Sequence, residues 1–126
     1  MFVDTNIIID SLRGEKNSKH FLEKHTGSIK ISVIVKLELL EGLKTKSKIA
    51  VLNKKVFDAL QISTVYIDED VSVKAEGVFT DFRHSKGISI NDAFIAATAL
   101  VHDEELVTRN KKHFGFIPNL KILKPY

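Results

Sequence analysis

Apolar positions fall in short blocks whose spacing switches between strand-like and helical periods along the chain. Met1 to Asp4 is a compact apolar run ending on an acid and predicts a short buried strand. Ile7 to Leu12 predicts a short helix launched directly from it, and Lys19 to Lys24, around Phe21 and Leu22, a second helix closed by Gly27. Ile29 to Ser32 predicts another strand. Val33 to Lys44 and Ile49 to Leu60 predict two helices, the latter with Ile49, Leu52, Val56 and Leu60 on one face. Ser63 to Ile67 alternates as a strand. Asp68, Glu69 and Asp70 then stand where acids suit the positive end of a long helix with Val71, Ala75, Val78, Phe79 and Phe82 as its core stripe. Ser89 to His102 is almost wholly apolar, hence a buried central helix, and Glu105 to Thr108 and Leu120 to Leu123 predict the last strands. Such alternation predicts βα units in an α/β domain with a mostly parallel sheet.

Composition leaves that picture standing and narrows the class. The 126 residues suit one domain, residues 1–126, with 44% hydrophobic and 28% charged residues. No cysteine is present, which removes disulfides and zinc–thiolate sites. No apolar run reaches the roughly 18–20 residues a bilayer span requires. The start of the chain carries no signal-peptide pattern, so the expectation is a soluble cytoplasmic protein with no membrane partner. A net charge of +3 leans mildly toward polyanions. Lys44, Lys46, Lys48, Lys54 and Lys55 form an acid-free stripe that reads first as a solvated helix face and second as a grip on phosphates.

Chemistry enters through acids placed on apolar surfaces, where a charge is costly unless paired or bound to a cation. Asp4 ends the first strand, at the edge where open α/β sheets gather ligands, and it is equally suited to cap the next helix. Glu38 interrupts an otherwise apolar helix. Gly42 lies one turn on, leaving room beside the carboxylate for a ligand, while a salt bridge to a lysine is the plain alternative. Asp92 opens the buried helix and fits a capping pattern with Ser89. The strand at Leu106 ends in Thr108 and Asn110, which a polar turn would also explain. Taken together these residues gather at one sheet edge, where like charges repel unless protonated or neutralised. Oxygen donors of this kind suit Mg²⁺, with Mn²⁺ as a workable substitute. None of the five histidines falls beside an acid motif.

Four segments then carry a family resemblance: Phe2–Asp10 (FVDTNIIID), Glu38–Gly42 (ELLEG), Asn91–Ala97 (NDAFIAA) and Leu106–Asn110 (LVTRN) followed by Phe114. In this order the chain resembles PIN-domain ribonucleases of the VapC type, the toxins of VapBC toxin–antitoxin pairs. The resemblance implies a PIN-like fold, a central parallel sheet of four to five strands flanked by helices. It implies an Mg²⁺-dependent endoribonuclease with Asp4, Glu38 and Asp92 as metal ligands and Asn110 at a fourth catalytic position where many relatives carry Asp. Thr5, Asn6 and Thr108 would orient the acids, and Arg109, Lys111 and Lys112 would hold the RNA backbone. A VapB-type antitoxin and a second copy of the chain are the implied partners, with the antitoxin groove expected near the helix Val33–Lys44 and the one that follows.

Other readings follow from the same residues. A haloacid-dehalogenase-like phosphatase would want an acid two residues after Asp4, where Asn6 stands. A receiver domain would want adjacent acids after the first strand and an acceptor Asp on a mid-chain strand, whereas Asp92 starts a helix. A catalytically weak PIN scaffold that only binds RNA or protein is kept open by Asn110.

Overall fold

The computed structural model describes residues 1–126. Five strands, β1 (Phe2–Val3), β2 (Lys30–Ser32), β3 (Ser63–Val65), β4 (Leu106–Val107) and β5 (Ile122–Leu123), form one sheet in the order β3-β2-β1-β4-β5. Every pairing is parallel, with Phe2 opposite both Lys30 and Leu106. Parallel strands need crossovers, and the helices supply them. α1 (Thr5–Leu12) and α2 (Lys16–Lys24) lead from β1 to β2. α3 (Val33–Glu41) and α4 (Lys46–Leu52) lead to β3, and α5 (Glu69–Lys86) and α6 (Ile90–Val101) to β4. The fold class expected from the residues, and the five-stranded parallel sheet, are both present. No helix is long and apolar enough to cross a membrane.

The chain moves outward from β1 to β2 and β3, then crosses back to place β4 on the other side of β1. Between β1 and β4 the winding therefore reverses, and in open α/β sheets the crevice at the strands' carboxyl ends there collects ligands. The core is continuous beneath that edge, with Phe2, Ile7, Ile8, Leu22, Ile31, Val35 and Leu106 essentially inaccessible. α6 is buried almost all round because Ala93, Ala96, Ala97 and Ala99 let neighbouring elements approach closely.

Three details differ from the sequence expectation. The helix expected over Ile49–Leu60 begins at Lys46 and widens at Asn53–Asp58 into a π-helical turn. The i→i+5 bonding there puts Phe57 in the core together with Leu52 and Val56. A short helix, α7 (Lys111–Phe114), follows β4 and was not anticipated, since four residues carry no readable period. Gly42 ends α3 rather than lying inside it, and a Cβ there would meet only the Leu39 carbonyl at an ordinary 3.6 Å. The glycine thus needs no ligand beside Glu38 to explain it.

Candidate active site

Asp4 leaves β1 directly into α1, and only 6% of it is exposed. One carboxylate oxygen accepts the Thr5 backbone N–H at 2.8 Å and the other the Thr108 hydroxyl at 2.7 Å. Thr108 follows β4, so the contact spans the switch point, reinforced by the Asp4 N–H on the Val107 carbonyl at 2.9 Å. Both alternatives raised for Asp4 are therefore realised on one side chain: it caps α1, and it sits at the strand edge.

Glu38 comes from α3 and makes no salt bridge to a lysine. It accepts the Thr5 hydroxyl at 2.6 Å and the Asn91 amide at 3.4 Å. Thr5 thereby links the first acid to the second. Asp92 lies in the first turn of α6, where Ser89 accepts its backbone N–H at 3.0 Å. Its carboxylate faces His113 at 3.4 Å. This corrects the expectation that no histidine pairs with an acid motif. The pairing was hidden because α7 itself was not anticipated.

Electrostatics tie the three carboxylates together. Burial raises the Asp4 pKa above its ordinary 3.8, Thr108 and Thr5 oppose this, and the charges of Asp92 and Glu38 add to the rise. Burial likewise raises Asp92, with His113 lowering it and Glu38 raising it again. Residues 4, 38 and 92 thus share one field at one sheet edge. No group of three or more acid or histidine side chains stands in a metal-holding array, however. Each carboxylate is turned to its own protein donor, the arrangement expected of like charges held close together.

A hard divalent cation fits these donors on two counts. Magnesium is held by one or two carboxylates and keeps waters for the rest of its shell, so a closed three-carboxylate cage is not required. Beside Asp4, Asn6 Oδ1 is buried with no hydrogen-bond partner, a further hard oxygen with its bonding unspent. Thr5 and Thr108 donate hydrogen bonds to acid oxygens. Asn110 contributes its backbone N–H to Thr108 Oγ1 at 3.0 Å, while its side chain lines a cavity with Asn6, Asp10, Arg109 and Lys124.

The cations expected to hold RNA separate. Arg109 is ion-paired with Asp10 at 2.8 Å and lies over the Tyr126 ring at 5.2 Å, so much of its charge is already answered. Lys111 is exposed, and Lys112 lines a cavity with His113 beside Asp92. All five residues of the lysine stripe are exposed and line none of the cavities beside the acids, in keeping with a solvated face. Sequence reasoning missed Asp10, Asn91 and His113. Asp10 stands one helical turn after Asn6 and was accessible by spacing; Asn91 lay inside a motif already noted; His113 had no signal.

Comparison with known proteins places the chain in a family. The family model described as PIN domain matches residues 1–116. Ribonuclease VapC19 of Mycobacterium tuberculosis is 34% identical over 123 residues, covering 94% of this chain and 95% of that protein. Among solved structures, a toxin-antitoxin complex from Klebsiella pneumoniae has a TM-score of 0.75 and 31% identity, covering 99% of this chain and 97% of the other. VapBC2 from Rickettsia felis, bound to a promoter DNA fragment, has a TM-score of 0.78 and 28% identity, covering 97% and 96%.

Proposed function

The chain belongs to the PIN domain family, and on that premise we propose that it is the endoribonuclease toxin of a VapBC-type toxin–antitoxin pair. Its relatives are named ribonucleases, and its structural neighbours include toxin–antitoxin complexes. Nucleases of this family depend in general on a divalent cation. We assign that role here to Mg²⁺, held by Asp4 and Asp92 with Glu38 beside them. One observation carries the assignment: carboxylates from distant parts of the chain meet at the switch point of a parallel sheet, where Thr5 bridges Asp4 to Glu38, and where burial first, then the neighbouring acid charges, raise the pKa of Asp4 and Asp92.

Bound there, the cation would polarise a phosphoryl oxygen and lower the pKa of an attacking water. The residues supply the rest. Thr108 and the Thr5 N–H fix both oxygens of Asp4, so its charge is aimed rather than free to rotate. Thr5 and Asn91 hold Glu38 toward the same space, and His113 and the α6 N-terminus hold Asp92. The remaining reading extends to a single domain across residues 1–126, a cytoplasmic location, a VapB-type antitoxin partner and a homodimer. A binding-only PIN scaffold draws on Asn110 and on the open arrangement of the acids. One assay separates the two: the protein cleaves single-stranded RNA with Mg²⁺ and not with EDTA, and Asp4→Asn falls to background. Equal cleavage by Asp4→Asn and the parent protein would sink the nuclease assignment.

A further inference from the structure

We propose that the cavity enclosed by the end of α5, the start of α6 and α7 is a subsite for a backbone phosphate flanking the scissile one, gripped by Lys86 and Lys112. The inference deepens the nuclease reading and rests on it. The cavity measures about 270 Å³ and is lined by Lys86, Ser89, Asp92, Lys112, His113 and Phe116 among others. It therefore opens on one of the acids assigned to the cation, next to the reacting phosphate.

The two flanks of the acid cluster differ in available charge. On the Asn6 flank, the Arg109 guanidinium is spent on Asp10, which leaves Lys124 as the one lysine of that cavity. On the Asp92 flank, neither Lys86 nor Lys112 takes part in any of the ion pairs. Lys86 alone is explained by the helix it ends, because a cation at a helix C-terminus meets the negative end of the dipole. Lys112 is not, since it stands in the single turn of α7, too short for a dipole to account for a cation there. Two lysines outside every ion pair line this one cavity, an arrangement that serves an anion better than it serves the fold.

The walls are built rather than loose. Gly87, at φ +68°, turns the chain from α5 toward α6. Arg83 donates to the Ile88 carbonyl at 3.1 Å and to that of Gly87 at 3.4 Å, bracing the same turn. Phe116 packs against Phe82 with ring centroids 5.1 Å apart, and the Lys86 ammonium stands 5.9 Å from the Phe116 ring. The chemistry that fits is a phosphate, read without regard to base identity, because lysines grip it as point charges.

The test is binding of a labelled single-stranded RNA in EDTA, where nothing is cleaved, across salt concentrations, for the full chain and for Lys86→Ala/Lys112→Ala. We expect roughly tenfold weaker binding and a salt slope shallower by about 1. Lys54→Ala/Lys55→Ala removes equal charge from the exposed stripe and should leave binding within about twofold of the parent. Unchanged affinity and slope in the first variant overturns the subsite, and so does an equal loss in the second, which would mean diffuse attraction. Cleavage by the parent protein in Mg²⁺ is scored separately. A parent that cuts RNA while Lys86→Ala/Lys112→Ala binds normally refutes the subsite alone; a parent that cuts nothing refutes the nuclease.

Discussion

Asp4 shows how one carboxylate is made both necessary and uncomfortable. Burial and two neighbouring acids raise its pKa, so its charged form is disfavoured in the folded chain. At neutral pH that charge weakens the fold in the absence of a cation. Asp4→Asn should therefore melt a few degrees higher than the parent in EDTA. In Mg²⁺ the parent should gain stability by ion binding and the variant should not. A thermal melt of both proteins in both buffers checks this; an Asn variant that melts lower in EDTA contradicts the account. Thr108→Val keeps the shape but removes the hydroxyl that fixes Asp4, and should lower cleavage by about 10–100-fold, read as kcat/KM. These acids were legible in the sequence because charges inside apolar runs demand a reason. His113 was not, since it gains its meaning only from a partner distant in sequence, on a helix too short to read.

Elements aim those residues, and the join between α5 and α6 is the critical one. Its direction sets where Asp92, Lys86 and the braced turn lie relative to β1. Gly87 makes the turn in the left-handed region, where a side chain is strained whatever the surrounding space. Gly77, inside α5, has open space where a methyl group would stand, with nothing within 4 Å, and only loses helix propensity by being glycine. Substituting alanine at the two positions should thus act in opposite senses. Gly87→Ala should lose about 1 kcal/mol of stability, and Gly77→Ala should gain roughly 0.5–1 kcal/mol. Urea denaturation at fixed pH reads both, and effects of the same sign would contradict the assignment. The long α5 and α6 were readable because their periods persist over many residues. The π-helical turn and α7 were not, because a single wide turn and four residues leave no period to detect.

Across the whole molecule the sheet separates stability from chemistry by its two edges. At the carboxyl edge like charges are brought together; at the amino edge opposite ones are. Glu104, just before β4, accepts the Met1 ammonium at 2.8 Å and the Lys30 ammonium at 2.5 Å, clipping β4 to the starts of β1 and β2. The Lys30 hydrogen bond, then that of the Met1 ammonium, holds the Glu104 pKa below its ordinary 4.5. A lowered acid pKa means the unfolded chain binds the proton first as pH falls. Its stabilising contribution is therefore complete above about pH 4.5 and drains away as pH drops toward the folded-state value. Glu104→Gln should be less stable than the parent at neutral pH, and the gap should close in acid, because protonating the parent's carboxylate erases the same clip. Because this clip lies at the opposite edge of the sheet from Asp4, Mg²⁺-dependent cleavage per folded molecule should be unchanged in that variant. Urea midpoints measured from neutral to acid pH, paired with cleavage at neutral pH, test the division. A gap that persists below the carboxylate range would mean Glu104 stabilises the sheet by packing rather than by charge.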